Sequence, residues 1–287
     1  MWVIVVCIVL VVVGLVAIVR WGGLAVQPPP TPTEDETDST DRPPVGLVVR
    51  RYLWYLTLAI SAGVGAGFLA AGAGGRLVMR LLAVTAGPDA QGRITEADQV
   101  VGRISLDGTL GFVIFTGLFF GAASGATYLL LRRWLPAGWT GGVAFGALLL
   151  VLAGTRLEPL RPGNPDFDLV GPGWVSVAAF AALVLFHGML VAALAGRLSR
   201  AVPLLALTPR AIVAHVPLLL LLALGSVALV AAIVGALVVL ASRVPTVTAT
   251  WRDRRRVLTT GRVILILVAL AALPSFASAI VDILGRP

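Results

Sequence analysis

Lysine is absent from this sequence: all 22 basic residues are arginine. A chain without lysine has no Schiff-base amine and no P-loop lysine, so two large classes of catalytic chemistry are excluded together. Cysteine occurs once, at Cys7 inside an apolar run, which excludes an intramolecular disulfide and a thiolate metal cluster. No H-E-x-x-H, G-x-S-x-G or P-loop pattern is present, and no cofactor is implied. Charge is scarce, at 13% of residues. Asp282 is the only carboxylate within an expected span, and it lies near the end of that span. A proton- or sodium-coupled carrier usually needs an acid near the midplane, so that class is disfavoured.

What the chain does contain is apolar surface. Hydrophobic residues make up 58% of it and the mean hydropathy is +0.98, more than a fold in water can cover. Apolar runs of roughly 17 to 25 residues recur, the length a helix needs to cross about 30 Å of hydrocarbon. Backbone polar groups in lipid must be satisfied within each segment, so the runs are expected to be helices. The expected fold is an all-α, polytopic transmembrane helical bundle of about seven spans, one anchor helix plus a six-helix core. The lipid bilayer is its first partner. The net charge of +8 comes from arginines at helix ends, where they set orientation and meet headgroups; nucleic acid is not an expected partner.

In chain order, residues 1–26 read as an N-terminal transmembrane anchor, with Arg20 favouring an outside N-terminus. Residues 27–44, rich in Pro, Thr and acid, read as a disordered linker, so the anchor is expected to be separable. Residues 45–287 form the transmembrane core. Helix 2 opens at Arg50, Arg51, Tyr52, Trp54 and Tyr55 and continues to about Ala86, too far for one straight crossing. The break is expected in Ala71-Gly72-Ala73-Gly74-Gly75. Further helices are expected up to Leu131 before Arg132-Arg133, from Trp139 to Gly154, and from Gly173 to Gly196. Ala211 to Ala241 reads as one apolar span and Val263 to Leu284 as the last. Simple alternation then places the basic cluster between Arg243 and Arg262 outside, against the positive-inside rule. Splitting 201–242 into two spans would restore the rule but would bury Arg210.

Glycines recur every four residues at Gly63 and Gly67, at Gly117, Gly121 and Gly125, and at Gly138, Gly142 and Gly146. Such flat stripes let helices meet at backbone distance, within the chain or in contact with a membrane-protein partner or a second copy.

The candidate recognition site is the stretch between Arg76 and Thr109, where charge is concentrated between two apolar segments. Arg76, Arg80, Arg93 and Arg103 stand there against Asp89, Glu96, Asp98 and Asp107. Gly87-Pro88-Asp89 reads as a turn, Thr95 to Asp98 as a capping box opening a short helix, and Asp107 or Thr109 as the cap of helix 3. The set is either an ordered mouth or a self-neutralising loop. His187, near the middle of its span, is the candidate intramembrane polar site; His215 sits near an interface. Glu96 and Asp98, with Asp166 and Asp168, are the alternative metal site, since paired carboxylates can hold Mg²⁺ or Mn²⁺ for chemistry on a lipid-linked or phosphate-containing substrate. That would require the two pairs within roughly 8 Å of each other around a shared cavity.

The segment GRLVMRLLAVTAGPDAQGRITEADQVVGRISLDGT, residues 75–109, resembles a stretch of uncharacterised multi-pass membrane proteins of high-GC bacteria, over about an eighth of the chain. The resemblance implies a bacterial plasma-membrane protein and no activity. The expectation is therefore a non-enzymatic membrane component: a scaffold, an accessory subunit or a small permease.

Overall fold

The computed structural model describes residues 2–31, 44–103, 105–157, 159–223, 225–243 and 254–286. Most of the expected linker, residues 32–43, lies outside them, as do Glu158 and Arg252. The described chain is all-helical. Its helices are α1 (Trp2–Trp21), α2 (Val45–Thr85), α3 (Leu106–Leu131), α4 (Trp139–Gly154), α5 (Gly173–Leu198), α6 (Pro209–Leu219), α7 (Ser226–Ala241) and α8 (Arg254–Leu284). Five of them, α1, α2, α3, α5 and α8, are long and apolar enough to cross a membrane.

Helix α2 does not break where glycine was expected to break it. It passes through a π-helical segment, Gly67–Gly72, and runs on to Thr85. A π turn absorbs the extra backbone while keeping its hydrogen bonds inside the helix, the solution lipid favours. The glycine stripes are used within the chain. A Cβ on Gly63 or Gly67 would strike the carbonyl oxygen of Gly121 or Gly117, and one on Gly125 that of Ala59, so α2 and α3 touch backbone to backbone. Gly142 and Gly146 of α4 meet Met189, Leu185 and Gly188 of α5 in the same way. Helix α1 is docked, not held apart: Cys7, Gly14, Ala17 and Ile18 are buried, and Gly14 faces Phe186 and Leu190 of α5.

Two ends of the bundle follow from the contacts. At the first, Trp54 Nε1 donates to Val202 O (2.8 Å), Gln27 N to Ser199 Oγ (3.0 Å) and Arg200 Nη1 to Ala25 O (2.9 Å), while Gly138 packs on Gly23. This end carries Arg20, Arg50, Arg51, Arg132, Arg133, Arg197, Arg200, Arg210, Arg243, Arg255, Arg256 and Arg262 and, among the described residues, no carboxylate. We call it the basic end. At the other, mixed end, Thr85 Oγ1 donates to Gly171 O (2.8 Å), and Gly173 abuts Ile283.

The apolar run from Ala211 to Ala241 is not one helix. It stops after the turn Leu220–Ala223 and restarts at Ser226, with Gly225 at φ +53°. Near its start the chain accepts a hydrogen bond at Leu205 O from Arg50 Nε (2.7 Å); by Leu218, Leu220 and Leu221 it has reached Ile60, Val64 and Ala122. Helix α7 then returns. Ala231 O accepts from Tyr52 Oη (2.5 Å), and Val239, Leu240 and Arg243 lie beside Val45 and Val49. Both legs of this hairpin thus open at the basic end. Helix α8 also starts there, where Val257 O accepts from Trp134 Nε1 (3.1 Å), and it ends against Gly173 at the mixed end.

Candidate functional site

The connector between α2 and α3 forms a cap on the mixed end. Gly87, at φ +80°, turns the chain out of α2 into a single 3-10 turn, Pro88–Ala90. The helix expected from Thr95 is instead a small ribbon. Thr95 N donates to Gln99 O (2.9 Å), Val101 N to Arg93 O (2.9 Å) and Gly92 N to Val101 O (3.1 Å), with an antiparallel bridge between Ile94 and Val100. Glycines at positive φ on both sides, Gly92 and Gly102, leave too few residues to nucleate a helix, and β-branched Ile94 and Val100 suit an extended pair. The cap of α3 is neither Asp107 nor Thr109 but Ser105, whose Oγ accepts from Gly108 N (3.3 Å). Ala83, Ala90 and Val101 pack together beneath the ribbon.

The four arginines and four acids of this stretch do not neutralise one another locally. Among the described residues no ion pair joins Arg76, Arg80, Arg93 or Arg103 to Asp89, Glu96, Asp98 or Asp107. Arg76 turns inward, donating from Nη2 to Thr109 Oγ1 (2.8 Å) and lying over the Phe112 ring at 5.6 Å. Arg80 reaches Gly102 O at 3.4 Å. Asp89, Arg93, Asp98, Arg103 and Asp107 are exposed.

Glu96 is the residue that ties the cap down. Its carboxylate pairs with Arg161 of the connector between α4 and α5, and its backbone N–H donates to Asp166 Oδ1 (2.7 Å). That second connector is anchored by buried Leu160 and Phe167, and Asn164 caps its 3-10 turn, Pro165–Asp168. Arg286 completes the assembly from the end of α8. It donates to Asn164 O (3.1 Å) and Pro162 O (2.5 Å) and pairs with Asp168 (3.4 Å) and Asp282 (3.9 Å). Sequence reasoning passed over Arg286, because one arginine after a terminal Gly285 carries no pattern.

The two acidic segments touch through one backbone contact, Glu96 N–H to Asp166 Oδ1, and their charges are directed elsewhere. Glu96 faces Arg161, Asp168 faces Arg286, and Asp166 accepts a backbone N–H. Among the described residues no group of three or more His, Cys, Asp or Glu side chains is placed to hold a metal.

His187 lies on α5 with 7% of its surface exposed. Its Nε2 is 2.8 Å from Ser124 Oγ of α3, and that hydroxyl donates to Gly121 O (2.9 Å). The imidazole and this hydroxyl form a buried polar pair between α5 and α3, and Nδ1 makes no hydrogen bond of its own. Fully buried Ala66, Leu190, Val191 and Ala193 surround this part of the bundle. His187 lines neither the open cleft at Asp282 and Arg286 nor the one between Val45 and Arg243. His215 on α6 is buried, with Nδ1 2.8 Å from Ala211 O.

Set against known protein families, curated proteins and solved structures, the chain matches none.

Proposed function

We propose that this chain is a non-enzymatic component of the bacterial plasma membrane, a scaffold or accessory subunit, whose mixed-charge cap is an extracytoplasmic recognition surface. The observation that carries the reading is the asymmetry of the ends. Among the described residues, most arginines stand at one end and the carboxylates Asp89, Glu96, Asp98, Asp107, Asp166, Asp168 and Asp282 at the other. The acids of residues 34–41 and Asp253 lie outside the described residues, and the rule that reads this asymmetry counts basic residues and gives acids little weight. The positive-inside rule makes the basic end cytoplasmic.

In this reading α1, α2, α3, α4, α5 and α8 cross the bilayer, while α6 and α7 enter and leave on the cytoplasmic side. Seven crossings become six and a re-entrant hairpin, and the arginines from 243 to 262 stay inside. The conflict between simple alternation and the positive-inside rule then disappears. Non-helical backbone at depth is tolerated where protein covers it, and the inner leg of the hairpin packs on α2 and α3. Reporter fusions after Leu207 and after Ser242 test this: both should report cytoplasm, and opposite sides would defeat it.

The cap suits recognition because Glu96, Arg161 and Arg286 hold it in one shape while Arg93, Asp98, Arg103 and Asp107 face outward. A small permease would need a wet path to His187, and the packing there offers that version no support. The test is purification in mild detergent with and without the paired reversal Asp98→Arg, Arg103→Glu. The reading expects a complex larger than the chain that the reversal dissolves while the protein stays monodisperse. A wild-type protein that runs alone, or a complex indifferent to the reversal, would count against it.

A further inference from the structure

We propose that the groove between α2 and α7 holds one acyl chain of an anionic phospholipid from the leaflet at the basic end, with Arg243 taking the headgroup phosphate. The groove has a volume of about 620 Å³. Val45, Val49, Ala236 and Val239 line it, and Arg243 stands at its outer end. Its inner end is closed by Tyr52, whose hydroxyl donates to Ala231 O (2.5 Å) and whose ring abuts Gly235. Below Arg243 the walls are almost entirely carbon, so the groove itself suits a hydrocarbon chain and offers a polar peptide nothing to bond.

Length and charge narrow the occupant further. From Val45 to Leu53 the groove follows eight residue steps of α2, about 12 Å at 1.5 Å per residue. That is less than half of the roughly 30 Å hydrocarbon layer, so the occupant belongs to a single leaflet. Arg243 is half-buried, and its guanidinium has no hydrogen-bond or ion-pair partner among the described residues. One arginine at a membrane surface favours an anionic over a neutral headgroup by about five-fold. The inference rests on the proposed topology only for which leaflet supplies the lipid; binding in detergent is independent of it.

The test is native mass spectrometry of the full chain in detergent, titrated separately with phosphatidylglycerol and phosphatidylcholine. Wild type should retain phosphatidylglycerol about five-fold better. Arg243→Gln should abolish the preference, and Ala236→Phe should reduce binding of both lipids by filling the groove. Val49→Trp, on the opposite wall, replaces Ala236→Phe if that variant does not fold. Equal retention by wild type, a preference that survives Arg243→Gln, or a filled groove that binds as before each overturns the proposal. The reporter fusions after Leu207 and Ser242 fail or succeed separately from all three.

Discussion

The seam between α2 and α3 yields the sharpest prediction. Replacing Gly63 by alanine adds one methyl group, and its only room is occupied by backbone: the Gly121 carbonyl oxygen and the Gly125 Cα. Gly67→Ala meets the Gly117 carbonyl and the Gly121 Cα in the same way. Backbone cannot rotate aside as a flexible side chain can, so the helices must separate. Overpacking of this kind costs about 1–3 kcal/mol per site. Gly111→Ala on α3 is the control, because nothing lies within 4 Å of its added methyl, and helix propensity should gain up to about 1 kcal/mol. The chain carries its own reporter, since Cys7 is its only thiol and is 4% exposed. Thermal unfolding in detergent, followed by a thiol-reactive dye, should show Gly63→Ala and Gly67→Ala melting several degrees below wild type, at roughly 2–4 °C per kcal/mol. Gly111→Ala should melt at or above wild type. If all three variants melt together, the close approach of α2 and α3 is wrong.

Other outcomes follow from the cap, the polar pair and the hairpin. Glu96→Gln should cost about 1 kcal/mol or less, because Glu96 and Arg161 are both partly exposed, and the loss should shrink further in high salt when measured by melting. Arg286→Gln removes two bonds to carbonyls as well as two ion pairs, so it should cost about 1–2 kcal/mol and speed hydrogen exchange at residues 162–168 and 280–286. Ser124→Ala deprives buried His187 of its partner and should destabilise by about 0.6 kcal/mol, the mean for hydrogen bonds between membrane helices, and by no more than about 1.7 kcal/mol; a neutral result would mean that water takes the hydroxyl's place. Gly225→Ala forces a side chain into a positive-φ backbone at a cost of about 1–3 kcal/mol, which should appear as faster exchange confined to α6 and α7.

The ends of α3 and α4 were legible because the chain marks them with polar or aromatic residues. Arg132-Arg133 closes α3 at Leu131, and Trp139 opens α4. The hairpin of α6 and α7 was not legible for the opposite reason. Its turn lies far from the basic end, beyond Leu218 to Leu221, and spends no charged residue, so hydropathy runs through it almost unbroken. Only Gly225 and Ser226 marked the place, and glycine occurs 32 times in the chain. The capping-box reading at Thr95 failed because a four-residue pattern was weighed without the glycines flanking it. Charge balance between Arg76 and Asp107 was visible in the sequence, but the partners were not. Glu96 finds Arg161 across 65 positions, and Arg286 comes from the far end of the chain. Local spacing carries no trace of such pairings.

Helix α2 is 41 residues long, about 62 Å at 1.5 Å per residue, and it runs from one end of the bundle to the other. Its first turns wall the groove shared with α7, its middle lies against α3 and near His187, and its last turn leads into the cap. A rod of that kind behaves as a mast. A twist or slide imposed at the foot, at the basic end, must appear at the tip, at the mixed end, unless the π segment at Gly67–Gly72 absorbs it. What sits at the foot and what docks on the cap would therefore share one mechanical element, and that segment is the single joint at which the two could be uncoupled.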